Sequence, residues 1–343
     1  MFNVGIIGAT GYTGSELVRI LFNHPDVEIK IITSESHTGK KFSEIHPQFK
    51  NIFDIELTSA KDLKTNNLDF LFLALPHGVS MEYVKKFICK DIKIIDLSGD
   101  FRLSSKSVYE EWYKKDHTFE DGFESAVFGI PELYEEDIKN AKLVANPGCF
   151  PTGAILALAP LLNKNIIEKN KIIIDSKTGV TGAGVTPKLV THFPNVNENF
   201  KPYGLKSHRH TIEIEEQLSK ISQSAIKLQF TPHLLPVDRG ILTSVYSVPL
   251  NSIKGKSLNE LYKKFYINSE FIRIVNDPPE IKNIRGTNYV DIYPAYDERT
   301  NNIIVFSALD NMVKGAAGQA IQNMNIMLGI KSSTGLNQIP VRP

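Results

Sequence analysis

Phe2-Asn3-Val4-Gly5-Ile6-Ile7-Gly8-Ala9-Thr10-Gly11-Tyr12-Thr13-Gly14 opens the chain, followed by Ser15-Glu16-Leu17-Val18-Arg19-Ile20-Leu21-Phe22. Phe2 to Ile7 is a short apolar run of strand length. Ser15 to Phe22 carries its apolar residues at helical spacing. Strand, glycine turn and helix in that order are the context a dinucleotide fingerprint needs. Gly8, Gly11 and Gly14, with Thr10, Tyr12 and Thr13 between them, read G-x-x-G-x-x-G. Such glycines let backbone approach a pyrophosphate, whose charge the helix N-terminus stabilises. A tight strand–helix turn with no ligand is the plainer reading. The position directly after a first strand favours the nucleotide.

The pattern continues outward as an α/β alternation. A second strand, Val27 to Thr33, ends at Ser34-Glu35-Ser36. An acidic residue there suits the ribose hydroxyls of NAD, whereas hydroxyls and basic groups suit the 2′-phosphate of NADP. Glu35 points one way; Ser34, Ser36, Lys40 and Lys41 point the other. Leu68–Leu75 and Ile92–Leu97 read as strands, with a helix over Val79–Cys89 between them. They end in Pro76-His77-Gly78 and Ser98-Gly99-Asp100-Phe101-Arg102-Leu103, and open α/β sheets place their sites in such loops. Arg102 reads equally as a surface charge or as a clamp for phosphate or carboxylate.

Asn146-Pro147-Gly148-Cys149-Phe150-Pro151-Thr152 follows a short strand, Lys142 to Ala145, and precedes an apolar helix over Gly153–Leu162. A thiol at a helix start faces unpaired N–H groups and the positive end of the dipole, which favours thiolate. Cys149 is therefore a candidate nucleophile; a small buried turn residue is the bland alternative. Cys89, at the tail of a helix, reads as structural.

Beyond Cys149 the pattern changes. Lys171–Asp175, Ala225–Pro232, Gly240–Pro249 and Asn302–Leu309 read as strands of a second, mostly antiparallel sheet. Asp310 to Ala320 starts a small-residue helix reaching Leu328. Ser207-His208-Arg209-His210-Thr211 leads into another helix. Two histidines one residue apart suit a metal, but no third ligand is placed to complete a site. A surface cluster at a helix start and a near-neutral acid/base beside the thiol are the remaining readings. The expected fold is α/β: a Rossmann-type nucleotide domain over 1–147, to which a C-terminal helix over 312–343 returns. An α/β catalytic and oligomerisation domain with a mixed, largely antiparallel sheet occupies 148–311.

Composition narrows the function class. The 343 residues are 42% hydrophobic, enough for a large core. A net charge of +1 gives no electrostatic case for nucleic acid or an anionic membrane. No apolar run reaches membrane-span length. Two cysteines make no disulfide framework. Met1 runs straight into the first strand, so no leader is expected and the expected location is cytoplasmic. A short-chain dehydrogenase needs Tyr-x-x-x-Lys, and none of the 12 tyrosines has Lys four residues on.

Gly8–Gly14, Leu75-Pro76-His77-Gly78, Asp100–Leu103, Pro147–Thr152, His208–Thr211 and Asp310–Ala320 together resemble N-acetyl-γ-glutamyl-phosphate reductases. More distantly the chain is similar to aspartate-semialdehyde dehydrogenases. The resemblance implies NADPH, an N-acetylglutamyl phosphate substrate, reduction through a Cys thioester in arginine biosynthesis, and Cys149 with His208 as the catalytic pair. It also implies that Asn311 orients the nicotinamide amide. Arg102 is the candidate for the phosphate, and Arg209 or Arg239 for the substrate carboxylate. A homodimer or homotetramer is expected. A related acyl-phosphate reductase, for an aminoadipyl or aspartyl substrate, and a non-catalytic dinucleotide-binding sensor are the alternatives.

Overall fold

A computed structural model describes residues 1–251 and 255–342. The chain divides into two compact units, Met1–Pro147 with Ala316–Asn337, and Gly148–Gly315 with Gln338–Pro343. The stretch that returns to the first unit is thus shorter than the 312–343 expected from the sequence.

In the first unit, β1 (Phe2–Ile7), β2 (Val27–Thr33), β3 (Phe70–Leu73), β4 (Lys93–Asp96), β5 (Ala126–Phe128) and β6 (Leu143–Ala145) form one sheet. Its order is β2-β1-β3-β4-β6-β5, with every pair parallel. All four residues of β3 are buried, the continuous apolar pattern of a strand covered on both faces. The order reverses between β1 and β3, and ligands of open sheets lie beyond the strand ends at such a switch. Gly8 ends β1 there, with φ of 84° and no room for a Cβ against the Ala74 carbonyl.

Helix Gly318–Met327 closes this unit, and all ten of its residues are buried. Two of its asparagines bond across the unit. Asn323 Nδ2 donates to Gly129 O at 2.9 Å and Asn146 Oδ1 at 3.1 Å, while Asn325 pairs with His24 Nε2 at 3.0 Å. Such bonds help fix a register that apolar contacts alone leave loose, although Asn323 Oδ1 accepts none among the described residues.

The second unit holds β7 (Ile167–Thr178), β8 (Lys201–Pro202), β9 (Gln229–Leu234), β10 (Ile241–Pro249), β11 (Ile272–Ile274), β12 (Val290–Asp297) and β13 (Asn302–Leu309). The order is β11-β12-β13-β10-β7-β9-β8. β11–β12 and β7–β9 are parallel and the other pairs antiparallel, so the mixed, largely antiparallel sheet expected from the sequence is present. Helix Cys149–Asn163 packs against it, with Phe150 through Leu162 all buried; a helix apolar on every side belongs in a core. Pro160 within it cannot donate to the carbonyl of Leu156. Tyr266 Oη fills that role at 2.6 Å, and Tyr262 Oη bonds the Ala157 carbonyl at 2.5 Å.

Several element boundaries differ from the sequence reading. The strand expected over Lys171–Asp175 runs from Ile167 to Thr178. The strand expected from Ala225 begins at Gln229. The helix expected from Asp310 opens as a wide π turn, Val313–Ala317, before Gly318–Met327. The buried Asp310 carboxylate accepts Met312 N at 2.8 Å and Val313 N at 3.2 Å, and Gly315 N bonds the Asp310 carbonyl at 2.9 Å. That five-residue spacing is the π pattern, which is frequent at functional sites.

Candidate active site

Cys149 is the first residue of its helix, half-exposed, behind an extended Gly148 N-cap that has no side chain to cap it. The loop is instead held from the helix His210–Ser222, where Glu213 Oε1 accepts the Gly148 N–H at 2.7 Å. Glu213 is fully buried. Thr152 N and Oγ1 both donate to the Gly148 carbonyl, at 3.1 and 3.0 Å. The thiol therefore projects from a rigid helix start, where the dipole favours negative charge.

The two histidines stand in different surroundings. His208 is enclosed by the rings of Phe150, Tyr203, Phe230 and His210, with centroids 4.8–5.6 Å away. Burial, reinforced by the Arg209 charge, pushes its pKa down to about 4, so the ring is neutral at pH 7. Its Nδ1 accepts the His210 N–H at 3.2 Å. The neutral ring then carries its proton on Nε2 and offers a donor there. His210 begins the helix, and a Cβ on Gly148 would collide with its Nε2. Its imidazole thus lies directly against the residue that precedes the thiol. Tyr203 is held above the usual phenol range, chiefly by burial and also by the charge of Cys149.

The other candidates in this unit are committed to structure. Asn311 Oδ1 accepts Gly240 N at 2.8 Å and its Nδ2 donates to Thr181 Oγ1 at 2.9 Å, tying two loops together. Arg239 Nε and Nη2 donate to Asp310 Oδ1 at 3.2 and 3.1 Å. Arg209 is exposed beside the two histidines.

The first unit carries the nucleotide loop. A Cβ on Gly14 would collide with the Gly8 carbonyl, so Gly14 serves helix–strand packing. Gly11 has no such internal reason, since its nearest neighbour would be Gly8 O at 3.8 Å. The space before the helix Tyr12–Leu21 suits an approaching diphosphate. Tyr12 is exposed and Thr13 half-buried at that helix start. Thr10 Oγ1 and Ser34 Oγ lie 2.9 Å apart, with Ser36 Oγ 3.5 Å from Ser34 Oγ. Lys40 and Lys41, further along the same loop, are exposed.

Arg102 is buried. Its Nε donates to Asn146 O at 2.7 Å and its Nη2 to Leu97 O at 2.8 Å, so it joins the loops that follow β4 and β6. Asp100 braces the neighbouring loop, accepting Gly78 N at 2.7 Å, Ser80 N at 3.1 Å and Tyr109 Oη at 2.9 Å. Burial, with the Asp100 charge close by, raises Asp96 to about 6.

Sequence reasoning missed Glu213, Tyr203, Asp310 and Gly315. Only Glu213 left a signal: it stands three residues after His210 and so shares its helix face. Among the described residues no group of three His, Cys, Asp or Glu is placed to hold a metal, and no helix is long and apolar enough to cross a membrane.

The class follows from comparison. Residues 3–141 match the semialdehyde dehydrogenase NAD binding domain, and residues 149–311 match the semialdehyde dehydrogenase dimerisation domain. The fold is similar to aspartate semialdehyde dehydrogenase II of Vibrio cholerae, complexed with ASA, at TM-score 0.74 and 18% identity over 96% of this chain and 98% of that one. It is also similar to aspartate semialdehyde dehydrogenase with NADP from Candida albicans, at TM-score 0.71 and 16% identity over 96% and 98%. In sequence the chain is 48% identical to an N-acetyl-gamma-glutamyl-phosphate reductase of Methanococcus vannielii and 46% identical to that of Alkaliphilus metalliredigens. Both matches cover 100% of each chain. The chain belongs to the N-acetyl-gamma-glutamyl-phosphate reductase family.

Proposed function

We propose that the protein reduces N-acetyl-L-glutamyl 5-phosphate to N-acetyl-L-glutamate 5-semialdehyde and phosphate, in arginine biosynthesis, with NADPH. The observation that carries this reading is the half-exposed thiol of Cys149 at a helix start, with His210 against the preceding residue and a buried carboxylate, Glu213, holding the loop.

Cys149 Sγ attacks the acyl carbon, the C–O bond to phosphate breaks, and a thioester remains on the protein. A nicotinamide cofactor held at Gly8–Gly14 would supply the hydride for reducing this thioester. The resulting oxyanion on the Cys149 adduct collapses to the aldehyde, and the sulfur leaves as thiolate. A covalent intermediate divides one difficult reduction into easier steps. The geometry favours His210 over His208 for moving the thiol proton, because Nδ1 of His208 is engaged and its Nε2 bears hydrogen in the neutral ring. His208 then acts as a donor, and its assignment as the base is the alternative.

Exposed Arg209 suits the substrate carboxylate, with Arg239 the alternative, and Arg102 is the candidate for the phosphate. Asn311 acts by positioning loops rather than by touching the nicotinamide. Gly8–Gly14 would hold the diphosphate, and Thr10, Ser34 and Ser36 the adenosine ribose with its phosphate. Homo-oligomer formation, as a dimer or tetramer, is assigned to the second unit, and a reducing cytoplasm suits an enzyme with a working thiol.

The test is phosphate-dependent reduction of NADP⁺ with N-acetylglutamate semialdehyde, run beside aspartate semialdehyde and the aminoadipate analogue. The N-acetylglutamyl compound should give the highest kcat/KM, and Cys149→Ala should be inactive. A higher value with either competitor would overturn the substrate assignment. An active Cys149→Ala would overturn the mechanism.

A further inference from the structure

Glu35 stands at the position after β2 where an acidic side chain would meet the hydroxyls of an NAD ribose and repel the 2′-phosphate of NADP. Its presence beside Ser34 and Ser36 is a conflict within one loop. The structure resolves it through a contact outside that loop. The segment before the turn Ala60–Asp62 runs alongside the end of β2. Thr58 N bonds Ile32 O at 3.1 Å and Ser34 N bonds Thr58 O at 3.0 Å. At the start of that turn the Glu35 carboxylate accepts from one backbone N–H and one hydroxyl. Its Oε1 accepts Ala60 N at 2.7 Å, and both oxygens lie 3.1 Å from Ser59 Oγ. Ser59 Oγ in turn accepts Lys61 N at 3.2 Å.

We propose that Ser59 and the Ala60 N–H set cofactor choice by holding the Glu35 carboxylate away from the ribose position, so that the Thr10–Ser34–Ser36 hydroxyls receive a 2′-phosphate. Ser59 is then a specificity-determining residue that acts through Glu35. The inference rests on the NADPH reading given above. Its physical content is a competition for one carboxylate. The turn offers it an N–H and a hydroxyl permanently in place; a ribose diol offers two hydroxyls only when NADH is bound. Charge-assisted bonds to Ala60 and Ser59 keep the carboxylate on the turn. Weakening them releases a negative charge that can accept from a diol and that opposes a phosphate.

The experiment measures equilibrium dissociation constants for NADPH and NADH by nicotinamide fluorescence, without turnover. Wild-type protein should bind NADPH more tightly. Ser59→Ala removes the hydroxyl donor. Glu35→Asp keeps the charge but shortens the reach to Ala60 N. Each should lower the Kd ratio of NADH to NADPH about tenfold, the scale of one charge-assisted hydrogen bond. Glu35→Gln should hold the ratio at or above the wild-type value. The double variant Ser59→Ala/Glu35→Gln should recover that value, because no carboxylate remains to be released. The proposal fails if Ser59→Ala and Glu35→Asp both leave the ratio within about twofold of wild type. It also fails if the double variant keeps the shift of Ser59→Ala, since the effect would then come from the turn alone. Melting temperatures show whether each variant folds, and Glu35→Asp decides the matter if Ser59→Ala does not. Wild-type protein that binds NADH as tightly as NADPH would instead overturn the NADPH reading itself.

Discussion

Gly315 stands so close to Cys149 that a Cβ on it would lie 2.7 Å from the cysteine Cβ and 3.2 Å from its Cα. The π turn that contains Gly315 thus forms a wall behind the nucleophile. Gly315→Ala should push the Cys149 helix start outward. Overpacking of this kind costs about 1–3 kcal/mol, and a misplaced nucleophile costs about 100-fold in rate. Thermal melting and steady-state assays should show both losses. A variant with wild-type kcat would show that the wall yields without moving the thiol.

Reactivity and exposure make opposite forecasts for the two cysteines. Cys89 is exposed, whereas Cys149 is only half-exposed. If access alone governed alkylation, Cys89 would react first. The helix start should instead make Cys149 faster with iodoacetamide at pH 7. Peptide mapping after brief labelling decides the order, and faster labelling of Cys89 would count against an activated thiol.

His210→Asn should lower kcat by about two to four orders of magnitude, the span for losing a general acid/base. His208→Asn should cost less if the ring acts as a donor. Steady-state rates of both variants across pH make the comparison. A larger loss in His208→Asn would return the base role to that residue.

His208 also predicts a pH dependence of stability. Its folded pKa of about 4 lies below the usual value of 6.5. A histidine kept neutral by burial contributes most above pH 6.5. That contribution falls as pH drops from 6.5 to 4, because the unfolded chain binds the proton more readily. The effect is on the order of 3 kcal/mol at most. Chemical denaturation of wild type and His208→Asn at pH 7 and pH 4.5 should show a smaller acid loss in the variant. Equal acid losses would mean that the ring is already charged or open to water.

Tyr266→Phe should destabilise the second unit by about 1–3 kcal/mol, because it strips the Leu156 carbonyl of its substitute donor beside Pro160. Pro160→Ala in the same chain should recover part of that loss by restoring a backbone N–H. Urea titrations of the single and double variants measure the coupling. Independent, additive effects would show that Tyr266 and Pro160 are unrelated.

Much of this architecture is legible in the sequence, for reasons that differ by segment. The β1 turn and its helix are local: glycine spacing, an apolar hexapeptide and helical periodicity all fall within 22 residues. The Cys149 loop is local too, since glycine and the prolines mark a helix start. What escapes is long-range. Glu213 reaches Gly148 across 65 positions, and Arg239 meets Asp310 across 71. No pattern in one segment reveals a partner in another. The same limit applies to the arginines: nothing near Arg102 in the sequence reveals that the carbonyls of Asn146 and Leu97 accept from it. The π turn at Val313 escapes as well, because one aspartate carboxylate redirects a run with good helical propensity.

Helix Gly318–Met327 has a consequence for how the chain matures on the ribosome. The six parallel strands leave the exit tunnel early, yet their buried covering helix is translated only after Gly148–Gly315, nearly all of the second unit. Until then the glycine loop at Gly8 belongs to an incompletely covered sheet, with apolar surface exposed to chaperones and to neighbouring nascent chains. The unit that begins synthesis first is therefore completed after translation has passed through its neighbour. A nonsense codon just before Ala316 would leave that unit without the helix that seals its core, even though every strand of its sheet had been made.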